Sequence, residues 1–344
     1  MKKLIGCFFA VVILSSLFLA GSVNAAADKP IVFKINTMFP ATHIASVHNL
    51  SYVPEILKKK SGGRMILEVY YSDSLFATRD ALKYLRSGVF DMAFDFTTYH
   101  PDETPDLVYP CDYPGQMNIK LWKKWFHAPK DSYASIVNPL YEAYGLKVLN
   151  YFPQIGTWYI WSKKPIRKLD DMKGFIARRM GYGSVDTLFR EGLGLSTVQL
   201  AVGELYEGLQ RGTVDVICTP YESFHGFKLH EVAKYGFGPP FGNSVCTHVM
   251  RMAAYNALPK DLQKILLDSF IEAQDRWCDE YWDLLVDLRS KLEKAGVTFN
   301  TMSESDMKRL NEIMKKYTDA FEKKYPSWAP QFRKASEMYS GPPQ

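Results

Sequence analysis

Two adjacent arginines, Arg178 and Arg179, lie in the segment GFIARRMG between Gly174 and Gly181. The segment reads as a short strand between glycines, and successive side chains on a strand point to opposite faces. The two guanidinium groups therefore cannot share one task. A guanidinium turned inward is costly unless it is paired. Its planar fork suits a carboxylate, to which it can donate two parallel hydrogen bonds. The chain offers acids of its own nearby, Asp170 and Asp171. Ordinary ion pairing and capture of a ligand carboxylate both fit the pattern.

Other chemistry is hard to find. No HExxH and no clustered Cys/His pattern occurs, so no metal or cofactor is expected. Ser184 in GYGSVD does not sit in a nucleophile elbow, because Asp186 stands where the final glycine would be. Glycine-rich phosphate cradles are absent, and no spaced carboxylate pair stands out for acid–base work. Cys111, Cys218, Cys246 and Cys278 form no CxxC and read as single buried thiols. The pattern is that of a binding module, not an enzyme.

The elements around the arginines alternate between strand and helix. IVFKINTMF (31–39) and MILEVYY (65–71) read as strands, separated by a helix that carries Pro54 and closes at Gly62-Gly63. TRDALKYLRSG reads as a helix and FDMAFDF as a strand. Such alternation implies a parallel sheet covered by helices, with ligands beyond the carboxyl ends of its strands. The stretch 81–94 resembles 205–218 when Gly88 is laid on Gly212 and Asp91 on Asp215, which points to one βα unit used twice. Residues 259–296 hold no internal Gly or Pro, and apolar residues recur from Leu262 to Leu292 at spacings of three and four. At 1.5 Å per residue that helix is roughly 50 Å long, enough to bend or to run across two lobes. A second helix is expected near 304–325, followed by a loosely packed tail.

Composition bounds the rest. With 344 residues, 47% of them hydrophobic, the chain fits two domains with real cores. The net charge is +5, about +3 without Lys2 and Lys3, and it is too dispersed to point to nucleic acid. The N-terminus runs from MKK through an apolar stretch to SVNAAAD, which is the form of a secretory signal peptide over residues 1–26, cleaved near Ala25 to Ala27. An exported, periplasmic protein without stable membrane insertion of the mature chain follows.

Taken together, KKKSGGRMILEVYYSDSLFATRDALKYLRSGVFDMAF, KPIRKLDDMKGFIARRMG, VGELYEGLQRGTVDVICTP and NALPKDLQKIL resemble the solute receptors of tripartite ATP-independent periplasmic (TRAP) transporters. The resemblance implies an α/β fold of the two-lobed periplasmic binding protein kind (type II-like), with crossing hinge strands and a long helix spanning both lobes. Lobe I would comprise 28–152 plus about 242–275, and lobe II 153–241 plus about 276–344. It implies capture of a small organic acid between the lobes and delivery to membrane permease subunits driven by an ion gradient. A sensing subunit for a membrane kinase would share the fold, and an exported enzyme is the third class.

The family motif, counted from Gly174, puts the carboxylate-binding arginine at Arg178, with Arg179 facing elsewhere. Positions where the family often has charged or amide partners hold Thr219, Thr157 and Thr78, while Arg79 keeps the family's arginine. Trp158 follows Thr157. Phe39 and His43, Thr97 and Tyr99, and Tyr221 follow the carboxyl ends of strands and complete the expected site. His43 would make binding pH-dependent near neutrality. A less polar monocarboxylate, aromatic or branched, is the expected ligand.

Overall fold

The protein is described by a computed structural model over residues 29–341, apart from Gln116 and Phe241. The expected signal peptide lies outside the described residues. Among the described residues, twelve strands form three sheets. β1 (Ile31–Asn36) and β2 (Met65–Tyr70) pair in parallel. β3 (Met92–Asp95), β4 (Asp112–Pro114) and β5 (Leu146–Ile155) each pair antiparallel with β11 (Gly242–Arg251). The third sheet holds β6 (Trp158–Ser162), β7 (Ile176–Arg179), β8 (Ser196–Gln199), β9 (Val216–Pro220), β10 (Tyr235–Gly238) and β12 (Thr298–Thr301). Their order across it is β12-β10-β6-β9-β7-β8.

The first two sheets belong to one lobe and the third to the other. β5 and β11 are ten residues each and pair along nearly their full length. β5 passes into β6 through Gly156-Thr157, and β10 passes into β11, so the paired strands cross from one lobe to the other. Gly156 has φ 71°, a left-handed turn that suits glycine at this corner.

A third connection is the helix Lys260–Lys294. Its buried residues include Leu262, Leu266, Phe270, Trp277, Tyr281, Leu288 and Leu292, the stripe expected from the spacing. Leu262, Leu266 and Phe270 join Phe33, Ile35 and Leu67 in the core of the first lobe. Farther along, Tyr281, Leu288 and Leu292 join the core that contains β6 and β9 of the second. Each such side chain contributes about 1.5–3 kcal/mol by leaving water.

The repeated βα unit is present in both lobes. Helices Ala81–Ser87 and Leu205–Arg211 end at Gly88 (φ 72°) and Gly212 (φ 77°), and lead into β3 and β9. Pro54 lies in the first turn of helix Tyr52–Lys60, preceded by a π-helical turn at Ser46–Leu50, so it interrupts no helix interior.

The tail is not loose. Helix Glu304–Lys324 starts at Ser303, whose hydroxyl oxygen accepts the Asp306 N–H. Helix Ala329–Met338 follows, and its fully buried Phe332 packs edge-on to Tyr109 and Tyr113 and against Trp125. Cys111, Cys218, Cys246 and Cys278, the cysteines among the described residues, are free and buried. No helix among the described residues is long and apolar enough to cross a membrane.

Candidate ligand-binding site

β7 positions Arg178. Its neighbours β8 and β9 both run parallel to it, and the side chain is buried, 2% exposed. Nε donates to the carbonyl oxygen of Leu200 (3.1 Å), just past β8. Nη2 donates to the Tyr99 hydroxyl (3.3 Å), which comes from the other lobe beyond β3. No carboxylate among the described residues pairs with this guanidinium, and Nη1 makes no hydrogen bond among them. Asp170 pairs with Arg309 and Lys173, and Asp171 accepts the N–H groups of Arg167 and Lys168. Arg179 faces the other way and donates to Gln199 Oε1 (3.3 Å).

Tyr99 and Leu200, the two partners of Arg178, line a narrow cavity between the lobes. The first lobe adds Met38, Asp73, Thr78 and Arg79, and the second adds Met180 and Gln199. The space is about 30 Å³, close to the share of one water molecule. The lobes are thus closed on each other. Burial raises the pKa of Tyr99 while the Arg178 charge opposes the rise, so the phenol stays protonated and can donate.

Several contacts hold the lobes together around this cavity. Asp112 of β4 accepts the N–H (2.9 Å) and hydroxyl (2.6 Å) of Ser184 across the cleft. Burial pushes its carboxyl up to about 6, and the Ser184 hydrogen bonds oppose this. A Cβ on Gly181 would overlap the Thr98 carbonyl oxygen, and one on Gly183 would overlap the Asp112 carboxylate. The loop docks this closely because Gly181 and Gly183 bring no side chain to these two contacts. Arg79 reaches toward Glu204 of the second lobe at 3.9 Å, with both side chains about half exposed.

The expected site residues divide. Arg178, Tyr99, Thr78 and Arg79 are brought together at the cavity. Thr219 lies near the end of β9, beside β7, with its carbonyl oxygen accepting the Trp161 indole N–H (2.9 Å). Thr97 donates to the Leu107 carbonyl and braces its own loop. Thr157 belongs to a hinge network, where its hydroxyl donates to Glu222 Oε1 (3.2 Å). Trp158 is buried at the hinge, near Gly242. Tyr221 donates its N–H to the Thr157 carbonyl and lies near Tyr159. Phe39 and His43 pack with each other and with Phe227. Burial, aided by the His225 charge, takes His43 down to about 3, so it stays neutral through the physiological range and does not titrate near neutrality.

Two groups escaped sequence reasoning. Glu222 is fully buried at the hinge and accepts from Tyr281 (2.9 Å), Thr157 and Gln154, and burial raises its carboxyl to about 7. Asp73 lines the cavity itself. It follows the carboxyl end of β2, where ligands gather in such sheets, and that position was the available signal. Ser72 and Asp73 have φ of 55° and 54°. A left-handed non-glycine residue costs on the order of 1 kcal/mol. Their N–H groups bond to the carbonyls of Phe39 and Thr37, which holds the corner. No cluster of potential metal ligands occurs among the described residues.

Comparison with known proteins agrees with the geometry. Residues 40–324 match the family described as bacterial extracellular solute-binding protein, family 7. A solute-binding protein of Albidiferax ferrireducens is 26% identical over 274 residues, 76% of either chain. Among solved structures, a marine metagenome TRAP solute-binding protein specific for pyroglutamate superposes with a TM-score of 0.80 at 18% identity, covering 90% of this chain and 99% of that one. A TRAP periplasmic solute-binding protein of Desulfovibrio salexigens with bound orotic acid gives 0.79 at 21%, covering 90% and 98%. The crossing strands, the helix shared by two lobes and the match over most of the chain lead to one assignment: this chain belongs to family 7 of the bacterial extracellular solute-binding proteins, the TRAP solute-receptor family.

Proposed function

We propose that this chain captures a small organic acid with one principal carboxylate in the interlobe cleft, and that in the periplasm it hands the acid to the membrane permease subunits of a TRAP transporter. The observation that carries this reading is Arg178. It is a buried guanidinium at the meeting of two lobes, anchored by a backbone carbonyl and a phenol, and given no carboxylate by the described chain. Burying such a charge without a counter-ion is expensive. A ligand carboxylate reaching Nη1 compensates it, and charge-assisted bonds of this kind are strong. Tyr99 comes from the opposite lobe, so the carboxylate site is complete when the lobes close, as in hinge-closing receptors. Pyroglutamate and orotic acid, bound by the two structural neighbours, are cyclic acids with one carboxylate, which supports a compact monocarboxylate here.

The test is a thermal-shift screen across aliphatic, aromatic and cyclic acids. A ligand at 100-fold over Kd stabilises by about 2.7 kcal/mol, which melting detects. The shift should vanish in Arg178→Ala and survive in Arg179→Ala. Survival of the shift in Arg178→Ala would refute the assignment of Arg178.

A further inference from the structure

We propose that Asp73 is a specificity-determining residue of the cleft, selecting acids that carry an N–H or O–H donor a short distance from the carboxylate. The inference rests on the receptor reading above and adds the second half of the ligand. Asp73 lines the same narrow cavity as Tyr99, the cross-lobe partner of Arg178. Its bonding partners are neutral groups. Oδ1 accepts from Thr78 Oγ1 (2.7 Å) and Asn36 Nδ2 (3.2 Å), and Oδ2 accepts from the Thr78 N–H (3.2 Å). A carboxylate has about four acceptor positions, so Oδ2 keeps capacity for another donor. No cation among the described residues is paired with it, and the cavity's own arginine, Arg79, leans toward Glu204.

The backbone points the same way. Two consecutive left-handed residues, Ser72 and Asp73, are fixed by the Phe39 and Thr37 carbonyls at the end of β1. Strained corners of this type persist where the surroundings hold them, and they gather at ligand clamps. Thr78 and Asn36 then fix the carboxylate itself, so it is preorganised to accept a hydrogen bond. A ligand with a ring amide, a pyrrole-type N–H or a hydroxyl can satisfy it. A ligand offering only an ether oxygen or another acceptor at that point sets acceptor against acceptor, and the half-buried carboxylate gains no bond to offset the water it gives up.

Isosteric acid pairs test this: pyrrole-2-carboxylate against furan-2-carboxylate, indole-2-carboxylate against benzofuran-2-carboxylate, and pyroglutamate against its lactone analogue. Each pair exchanges N–H for O at nearly constant shape. Affinities are measured by calorimetry on the wild-type protein and on Asp73→Asn and Asp73→Ala, with circular dichroism confirming that the variants fold. For every pair that binds, the N–H member should be preferred by about tenfold or more in the wild type. In Asp73→Ala that preference should collapse, and in Asp73→Asn, whose amide can also donate, it should narrow. Equal affinity within the pairs, or an unchanged preference in both variants, would overturn the role of Asp73 while the receptor reading stands. Failure of every acid in the panel and the wider screen to bind the wild type would overturn the receptor reading, and this inference with it. The wild-type comparison needs no variant to fold.

Discussion

Replacing Glu222 by Gln should flatten part of the pH dependence of stability, and the size of the effect follows from the hinge. Glu222 Oε1 accepts from Tyr281, Thr157 and Gln154, while Oε2 has no hydrogen-bond partner among the described residues. Burial lifts the carboxyl from its ordinary 4.5 to about 7, so the folded state favours the protonated form. The folded state therefore binds more protons than the unfolded chain between pH 4.5 and 7. Stability tied to this group is present below pH 4.5 and is lost as pH rises through 7. A tenfold difference in proton affinity between the two states is worth about 1.4 kcal/mol, so the loss is about 3 kcal/mol in all, with about 2.5 kcal/mol of it falling between about pH 5 and 8. Glutamine can offer the same acceptor at Oε1 and cannot ionise. Urea unfolding of both proteins at pH 5, 6, 7 and 8 gives the difference in stability, from which Asp112 and the buried histidines cancel. The variant should gain about 2–3 kcal/mol on the wild type between pH 5 and pH 8. A difference that stays constant across this range would refute the claim that burial dominates the environment of Glu222.

Gly181→Ala should weaken ligand binding by about tenfold or more while leaving the ligand-free protein folded, because its Cβ overlaps the Thr98 carbonyl only when the lobes are closed and overpacking of that kind costs about 1–3 kcal/mol. Calorimetric affinity set beside unfolding of the ligand-free protein separates the two effects, and equal destabilisation with unchanged affinity would show that the contact is not specific to closure. Phe332→Ala should cost about 3–5 kcal/mol in urea unfolding, since the side chain is fully buried against Tyr109, Tyr113 and Trp125. A loss below about 1 kcal/mol would return the C-terminal helix to the loosely packed tail expected from the sequence.

What the sequence revealed and what it hid follow from the range of the interactions concerned. Spacings of three and four along 35 residues made the helix Lys260–Lys294 legible, because its burial pattern repeats every turn. Gly88 and Gly212 were legible because a helix ending in a left-handed residue favours glycine whatever surrounds it. Strand parity separated Arg178 from Arg179, and the family register chose between them. The tail was misjudged although Trp328 and Phe332, four residues apart, mark one face of a helix. Thr157 and Trp158 follow the crossing strand as expected, but the turn at Gly156 directs Thr157 to Glu222, a contact over 65 residues of sequence that no local pattern encodes. Asp73 lies in YSDS, where local pattern does not separate a cavity-lining aspartate from any other turn residue. Thr78, a position read as the loss of an acid, instead holds the Asp73 carboxylate with both its hydroxyl and its N–H.

That arrangement explains why charge can be sparse around Arg178 without making the cleft indifferent to its ligand. The guanidinium is committed through Nε and Nη2 to groups that carry no net charge, so its field is aligned but not neutralised. Asp73 is held by neutral donors in the same way. Had the chain paired these two residues directly, each would have satisfied the other and the lobes would close with no ligand required. Thr78 and Asn36 hold one and Leu200 the other, so a molecule that brings a carboxylate to Arg178 and a donor to Asp73 would, on the reading proposed above, favour closure. On the proposed reading of Arg178 and Asp73, hinge closure is coupled to the chemistry of the ligand, since each lobe contributes one of the two groups.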